Sequence, residues 1–260
     1  MNEIPATRRD LILHRLEQGE PVHAAALAAE FAVSEDAIRR DLRALATLGL
    51  CRRVYGGALP LSPAATSMAE RIDHMPERKS ALARQGAALV QPGELLLLDN
   101  GSSNLALVPW LPADSGITVA TNSVAIAAAV MQRKDLQLIM LGGSVDAHVG
   151  GCIDASALRQ LADLHPDRCF LGACAFSMEQ GISAFHLADA HFKQAALAAA
   201  SHSVVLLTSE KLQTRAPYRV CASAAINCYV LEADAPAACA QALEQGGSMV
   251  MRASARLTSN

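Results

Sequence analysis

The sequence predicts an α/β protein in two parts. A small, mostly helical N-terminal unit ends in a short hairpin and is joined to a larger α/β unit with a mostly parallel sheet. Three observations carry this. The first sixty residues hold eight arginines, no lysine and eight acids, with arginines crowded at 39, 40, 43, 52 and 53. Residues 59–67 contain two prolines, two serines and a threonine, which interrupt any regular pattern. Beyond residue 92, short apolar runs alternate with helical stretches, as in a sheet covered by crossover helices. The expected organisation is a first unit over 1–58, a linker over 59–76 and a second unit over 77–250.

Composition narrows the class. At 260 residues the chain has room for one or two domains, and 52% apolar against 18% charged residues excludes a disordered chain. A net charge of -3 excludes a uniformly basic coat for nucleic acid, and 3% aromatics gives little material for stacking single-stranded bases. The seven cysteines form no Cys-x-x-Cys pair and are expected as reduced thiols. Residues 1–10 are charged and resemble no export signal, and the uncharged run 115–132 is broken by Thr121, Asn122 and Ser123. The expectation is a cytoplasmic protein with no membrane association.

Three helices fit the first unit. Over 7–18, Leu11, Ile12 and Leu16 share a stripe, and Gly19 is a stop signal. An alanine-rich helix spans 24–31. After a tight turn at Ala32 and Val33, Ser34 is placed to cap a third helix. On that helix Ile38, Leu42 and Leu45 recur at core spacing, so Arg39, Arg40 and Arg43 project from the other side. Gly49 ends it, and 50–59 reads as a hairpin wing turning at Gly56 and Gly57.

A short turn followed by a helix with long donors on its outer face is what major-groove reading requires. The planar guanidinium fork grips guanine or phosphate. Arg52 and Arg53 on the wing would reach phosphates, while Glu35 and Asp36 suit the helix start but repel DNA there. The plainer alternative is a solvated face, with the three arginines paired to Asp36 and Asp41.

In the second unit, runs at 94–98, 117–120, 136–141, 168–171, 204–207 and 228–231 are strand candidates. Helical stretches fall at 77–90, 104–111, 123–132, 154–164 and 187–201. The strand ends carry polar turns: Asp99, then Gly101, Ser102, Ser103 and Asn104; Thr121, Asn122 and Ser123; Gly142 and Gly143. A glycine turn that opens a helix offers free N–H groups to an anion, and ligands of open α/β sheets sit at such strand ends. Lys193 and Lys211, two of only four lysines, add positive charge. Together these groups suit a small phosphorylated polyol. Taken singly, a Gly-Ser-Ser turn is an ordinary helix cap and Lys193 an ordinary exposed lysine.

The segment Val33 to Leu42, followed by Arg52-Arg53-Val54-Tyr55-Gly56-Gly57-Ala58, resembles the DeoR-type family of bacterial transcriptional regulators. Its usual pattern is Val-Ser-x-x-Thr-Ile-Arg-Arg-Asp-Leu and then a basic wing ending in Gly-Gly-Ala. Ala37 replaces the usual threonine, removing one hydroxyl that could contact phosphate. The resemblance extends over roughly residues 7–235. It takes in Lys79, the Asp-x-Gly-Ser-Ser turn at Asp99, the Thr-Asn-Ser turn, Gly142-Gly143, Asp189 with Lys193, and Lys211. It departs at Thr208, Glu210, Asn227 and Glu232.

The resemblance implies a winged helix-turn-helix joined to a sensor domain similar to ribose-phosphate isomerases. It implies a homo-oligomer, dimer or tetramer, that binds double-stranded operator DNA and represses a carbohydrate-related operon until a phosphorylated sugar-like effector releases it. DNA contacts would come from Ser34, Glu35, Ala37, Arg39, Arg40, Arg43, Arg52, Arg53 and Tyr55. Effector contacts would come from the strand-end residues with Lys193 and Lys211. Two alternatives stay open: an isomerase-like enzyme using Asp99 or Glu210 as base, and an activator with a non-sugar effector. No cofactor is expected, because the chain lacks Gly-x-Gly-x-x-Gly and Gly-x-x-x-x-Gly-Lys-Ser/Thr. No metal site is expected either, since His186 and His191 are poorly spaced on one helix face.

Overall fold

The computed structural model describes residues 7–17, 21–48, 50–59 and 66–254, apart from the side chain of Arg52. The expected stops at Gly19 and Gly49, and residues 60–65 of the expected linker, lie outside the described residues.

The N-terminal unit packs α1 (Arg8–Glu17), α2 (Ala24–Glu30) and α3 (Glu35–Thr47) against a three-stranded sheet. That sheet is antiparallel and runs β1 (Val22–His23), β3 (Gly57–Leu59), β2 (Arg52–Val54). Thr7 and Asp10 cap α1 reciprocally, and the Ser34 hydroxyl accepts from the Ala37 N–H at 3.3 Å to start α3. Ile12, Leu16, Leu27, Ile38, Leu42 and Leu45 form the core. Burying each such side chain contributes about 1.5–3 kcal/mol. The β1–β3 pairing requires glycine at 57, because a Cβ there would sit 2.0 Å from the Val22 carbonyl oxygen.

The larger unit is built on seven parallel strands: β4 (Leu95–Leu98), β5 (Thr118–Thr121), β6 (Gln137–Met140), β9 (Arg168–Phe170), β12 (His202–Leu207), β14 (Cys228–Leu231) and β15 (Met249–Arg252). All six strands expected in this unit are present; β15 was not expected. Alternate side chains bury both faces. Leu96, Leu98, Phe170 and Leu206 meet α5 (Pro76–Ala87) and α7 (Val124–Met131) on one side. Leu97, Cys169, Val205 and Tyr229 meet α8 (Ala155–Ala162), α9 (Leu187–Ala199) and α10 (Ala237–Gln245) on the other. A small antiparallel sheet, β10 (Ala175–Ser177), β11 (Gly181–Ala184) and β13 (Tyr218–Cys221), adds to that second core. The short pair β7 (Val145–Asp146) and β8 (Gly151–Cys152) follows β6.

Two expectations change. The helix expected over 104–111 is a short α6 (Ser102–Leu105) and a separate 3-10 turn (Val108–Trp110), because Pro109 cannot continue a helix. The stretch 59–76, expected as linker, contains a helix, α4 (Met68–Asp73). Ser67 and Glu70 form its capping box, and Met68 and Arg71 are buried.

The strand order β15-β14-β12-β9-β4-β5-β6 locates the site. The chain runs outward from β4 through β5 to β6, then returns beside β4 as β9 and runs the other way. The order reverses between β4 and β9, and a crevice opens at their carboxyl ends.

Candidate functional site

The crevice at the reversal is lined by Asn100, Gly101, Ser102, Ser103 and Asn104 after β4, and by 171–174 after β9. Leu206 and Lys211 contribute from the β12 side, and Arg71 closes it from α4. The two loops approach closely. A Cβ on Gly172 would sit 2.3 Å from the Asn100 carbonyl oxygen, so only glycine fits.

Beneath this crevice lies a buried ionic cluster. Lys193 Nζ is 2.6 Å from Asp189 Oδ1, 2.9 Å from Asp99 Oδ2 and 3.1 Å from Asn100 Oδ1. Lys193 and Asp99 are both 0% exposed. Asp99 Oδ2 also accepts from the Gly172 N–H at 2.8 Å, and Cys174 Sγ lies 3.6 Å from Asp189 Oδ2. Burial pushes the Asp99 carboxyl up to about 6, against the pull of Lys193, because two acids share one ammonium. Lys193 resists the loss of its proton: burial works against the charge, but Asp189 and Asp99 more than offset it. Burial holds the Cys174 thiol up at about 11.

The lining cations differ from Lys193. Arg71 and Lys211 are each 8% exposed and form no ion pair among the described residues. Arg71 Nη2 donates to the Val149 carbonyl at 3.4 Å, and its Nε has no partner. Burial lowers the Lys211 ammonium, with Cys174 and Glu210 opposing. Ser103 Oγ is likewise buried without a partner. An uncompensated buried cation is costly. Two of them, lining one crevice with an unsatisfied hydroxyl, are groups that an anion could satisfy. Helix α6 is too short to contribute much field, so side chains supply the charge rather than the helix start.

Of the residues expected around an effector, Gly101, Ser102, Ser103, Asn104 and Lys211 line the crevice. Asp99 and Lys193 lie under its floor. Thr121, Asn122 and Ser123 do not reach it and instead brace the strand ends. Thr121 Oγ1 donates to the Leu98 carbonyl at 2.6 Å, Asn122 Oδ1 accepts from the Asn100 N–H at 3.0 Å, and Ser123 caps α7. Gly142 exchanges hydrogen bonds with the Gln160 side chain of α8, and Gly143 packs against Asp154, the cap of that helix, both outside the lining. The same donors that bind ligands also satisfy buried backbone, and only long-range geometry separates the two uses.

Arg71, Asn100 and Cys174 were not singled out from sequence. The signal for Arg71 was present: Ser67-x-x-Glu70 is a helix-start pattern inside the apparent linker. The departures at Thr208, Glu210 and Glu232 build a neighbouring polar lattice. Glu210 takes His74 at 2.7 Å and Thr208 at 3.3 Å, while Glu232 accepts from the Ser209 N–H at 2.6 Å. Asn227 braces Ser203 at the opposite end of the sheet.

On the N-terminal unit, Ser34, Glu35, Arg39, Arg40 and Arg43 lie along exposed α3, with Ala37 half-buried. Arg39 pairs with Glu35 at 2.7 Å and Asp36 at 3.5 Å. Asp41 does not neutralise this face. It is 7% exposed and clamped by Arg8 and Arg9 of α1 at 2.6 and 3.2 Å. Arg40 and Arg43 therefore stay uncommitted and, with Arg9 and Thr47, line a shallow basic groove. Arg9 was not singled out from sequence. Arg53 is exposed on β2, and Tyr55 is fully exposed at the wing tip. Arg52 lies in β2, its side chain outside the described residues. Among the described residues no group of acids, histidines and cysteines could hold a metal, and no helix is long and apolar enough to cross a membrane.

Comparison with known proteins matches residues 8–63 to the DeoR-like helix-turn-helix domain and 74–233 to the DeoR C-terminal sensor domain. The HTH-type transcriptional regulator GolR of Listeria innocua is 30% identical over 80% of this chain and 83% of its own length. A putative aga operon transcriptional repressor of Escherichia coli O157:H7 is 26% identical over 94% and 92%. The glycerol-3-phosphate regulon repressor of Escherichia coli K12 is 26% identical over 91% and 94%. Among solved structures, ribose 5-phosphate isomerase A from Neisseria gonorrhoeae superposes with a TM-score of 0.40, at 12% identity, over 54% of this chain and 55% of that one. The chain belongs to the DeoR family of DNA-binding transcriptional regulators.

Proposed function

We propose that the protein is a cytoplasmic, homo-oligomeric repressor whose grip on its operator is released by a small phosphorylated metabolite held between β4 and β9. The observation that carries the effector class is the pair of buried, unpaired cations, Arg71 and Lys211, beside Ser102 and the unpartnered Ser103 hydroxyl. Phosphate supplies the missing negative charge and several acceptors at once. Two relatives support the same class through their names, an aga operon repressor and a glycerol-3-phosphate regulon repressor.

In this reading α3 enters the major groove. Arg39, Arg40 and Arg43 face DNA, Arg9 holds backbone phosphate, and Arg52, Arg53 and Tyr55 approach from the wing. Ser34 and Glu35 set the helix start, and Ala37 leaves the arginines to carry the contact. One winged helix reads few base pairs, so two copies on a two-fold site double the reading. The seven free thiols suit a reducing compartment.

A catalytic reading fits less well. Asp99 is fully buried under the floor, with Oδ2 held by Lys193 and the Gly172 N–H and Oδ1 enclosed without a partner, and Glu210 is engaged by His74 and Thr208. Neither carboxylate meets the crevice as a base should.

Fluorescence anisotropy with DNA from upstream of the gene tests this proposal, using an unrelated duplex, a salt series and a panel of phosphosugars. Selective binding with a steep salt dependence, relieved by one phosphorylated compound, is expected. Selective binding relieved only by an uncharged compound would overturn the effector class. Equal binding to both duplexes would overturn operator recognition at that site.

A further inference from the structure

We infer that Arg71 is an anion-binding residue of the crevice and that α4, which carries it, reports occupancy to the DNA-reading unit. This rests on the phosphorylated-effector reading above and goes beyond it by naming the moving part. Every other lining residue belongs to the sensor's own sheet, its loops or the turn at Ser209–Lys211. Arg71 alone comes from the segment leading out of the DNA-reading unit, where only residues 60–66 lie between β3 and the cap of α4 at Ser67.

At its end α4 is tied to the sensor by His74, whose Nε2 is 2.7 Å from Glu210 Oε2, and along its length by a handful of further contacts. The Met68 N–H donates to the His148 carbonyl at 2.9 Å, and the Met68 side chain packs against Gly150. Arg71 Nη2 reaches the Val149 carbonyl at 3.4 Å. Lys79 Nζ donates to the carbonyls of Arg71 and His74 at the end of the helix. Beside these contacts stands a buried guanidinium whose Nε has no partner and which forms no ion pair among the described residues.

A phosphate group bridging Arg71 to Lys211 and Ser103 adds charge-assisted hydrogen bonds between α4 and the sensor body. It therefore fixes α4 more firmly than the protein's own contacts do. A ligand shifts a protein only by binding one arrangement better than another, and this bridge supplies the difference.

Hydrogen exchange on the full chain, with inorganic phosphate as probe and chloride at matched ionic strength, tests the inference. Phosphate should slow exchange at 100–104 and 209–212, and equally at 67–74. Arg71→Met should keep the fold, weaken phosphate binding at least tenfold and remove the protection at 67–74. Arg71→Lys should restore part of both. Protection at 100–104 and 209–212 in the unaltered protein, with none at 67–74, would overturn the role of α4 while leaving the anion site standing. Absence of protection anywhere at saturating phosphate would overturn both.

Discussion

The two halves of the molecule handle charge in opposite ways. On α3, Arg40 and Arg43 are exposed and form no ion pair among the described residues, and Arg39 leans on Glu35 across an exposed helix turn. Such cations cost little to keep, because solvent screens them, and they leave when a better partner arrives. In the sensor the ions are inside. Lys193 is fully enclosed and survives there because Asp99, Asp189 and Asn100 surround it. Arg71 and Lys211 are nearly as enclosed but lack carboxylates. The contrast teaches that exposure decides what an unpaired cation means. On the surface it is ordinary, while inside it is costly and calls for a counter-charge.

The largest expected effect tests the buried side of that contrast. Lys193→Met would leave Asp99 and Asp189 facing each other without their ammonium. Breaking a buried ion pair costs about 3–5 kcal/mol, and urea unfolding should report a loss of that size. A loss under about 1 kcal/mol would mean that the cluster is a ligand site after all, open to solvent in solution. Next in size is the surface side. Arg40→Ala with Arg43→Ala should weaken operator binding by about 1–2 kcal/mol per arginine and flatten the salt dependence by about one unit each. Melting temperature should stay put, since neither side chain has a partner among the described residues. Unchanged salt dependence would move the DNA face elsewhere.

Much of the scaffold was legible from residues. Continuous leucine at 95–98 and the runs at 117–120 and 204–207 became inner strands of the sheet, because apolar runs this short, bounded by glycine or polar turns, fit a strand buried on both faces. Ser34 became a cap and Ile38, Leu42 and Leu45 the core, because helical spacing allows one assignment. The site was only partly legible. Asp189 and Lys193 share a helix at i, i+4, so their pairing is local, but Asp99 joins them through the sheet and no spacing announces that. Thr121-Asn122-Ser123 looked like ligand donors and serve as braces. Arg71 was hidden because proline and serine upstream read as linker, while the capping box at Ser67 and Glu70 started a helix regardless.

Lys211 gives a sharper test of the same contrast through pH. Burial lowers its proton affinity, so the folded protein binds fewer protons there than the unfolded chain does. Apo stability should therefore rise as pH climbs from the folded value toward that of an ordinary lysine. Anion affinity should move the other way, since only the charged ammonium attracts phosphate. It should be full below the folded value and fall through it. Lys79, held down at about 8 by burial and by Lys211, lies outside the crevice lining and adds to the alkaline rise in apo stability. Calorimetric titration with inorganic phosphate should give a flatter alkaline limb in Lys211→Arg. An unchanged limb would place the anion away from Lys211. Lys211→Met should be within about 1 kcal/mol of the unaltered protein or more stable, unlike Lys193→Met, because no carboxylate is left behind.

The smallest effect concerns Glu35. Its pair with Arg39, at i, i+4 and roughly half exposed, is worth about 0.3–0.5 kcal/mol, and its place at the start of α3 adds a similar amount through the helix dipole. Glu35→Ala should therefore cost less than about 1 kcal/mol in stability. On DNA the sign reverses. The glutamate repels phosphate and holds Arg39 back, so its removal frees one guanidinium and deletes one negative charge. Binding to an unrelated duplex at low salt should tighten several-fold, with less change at the operator, because freed charge favours all phosphates alike. If binding instead weakens on both duplexes, Glu35 is positioning Arg39 for its contact, and the exposed ion pair is part of the reading head rather than a competitor for it.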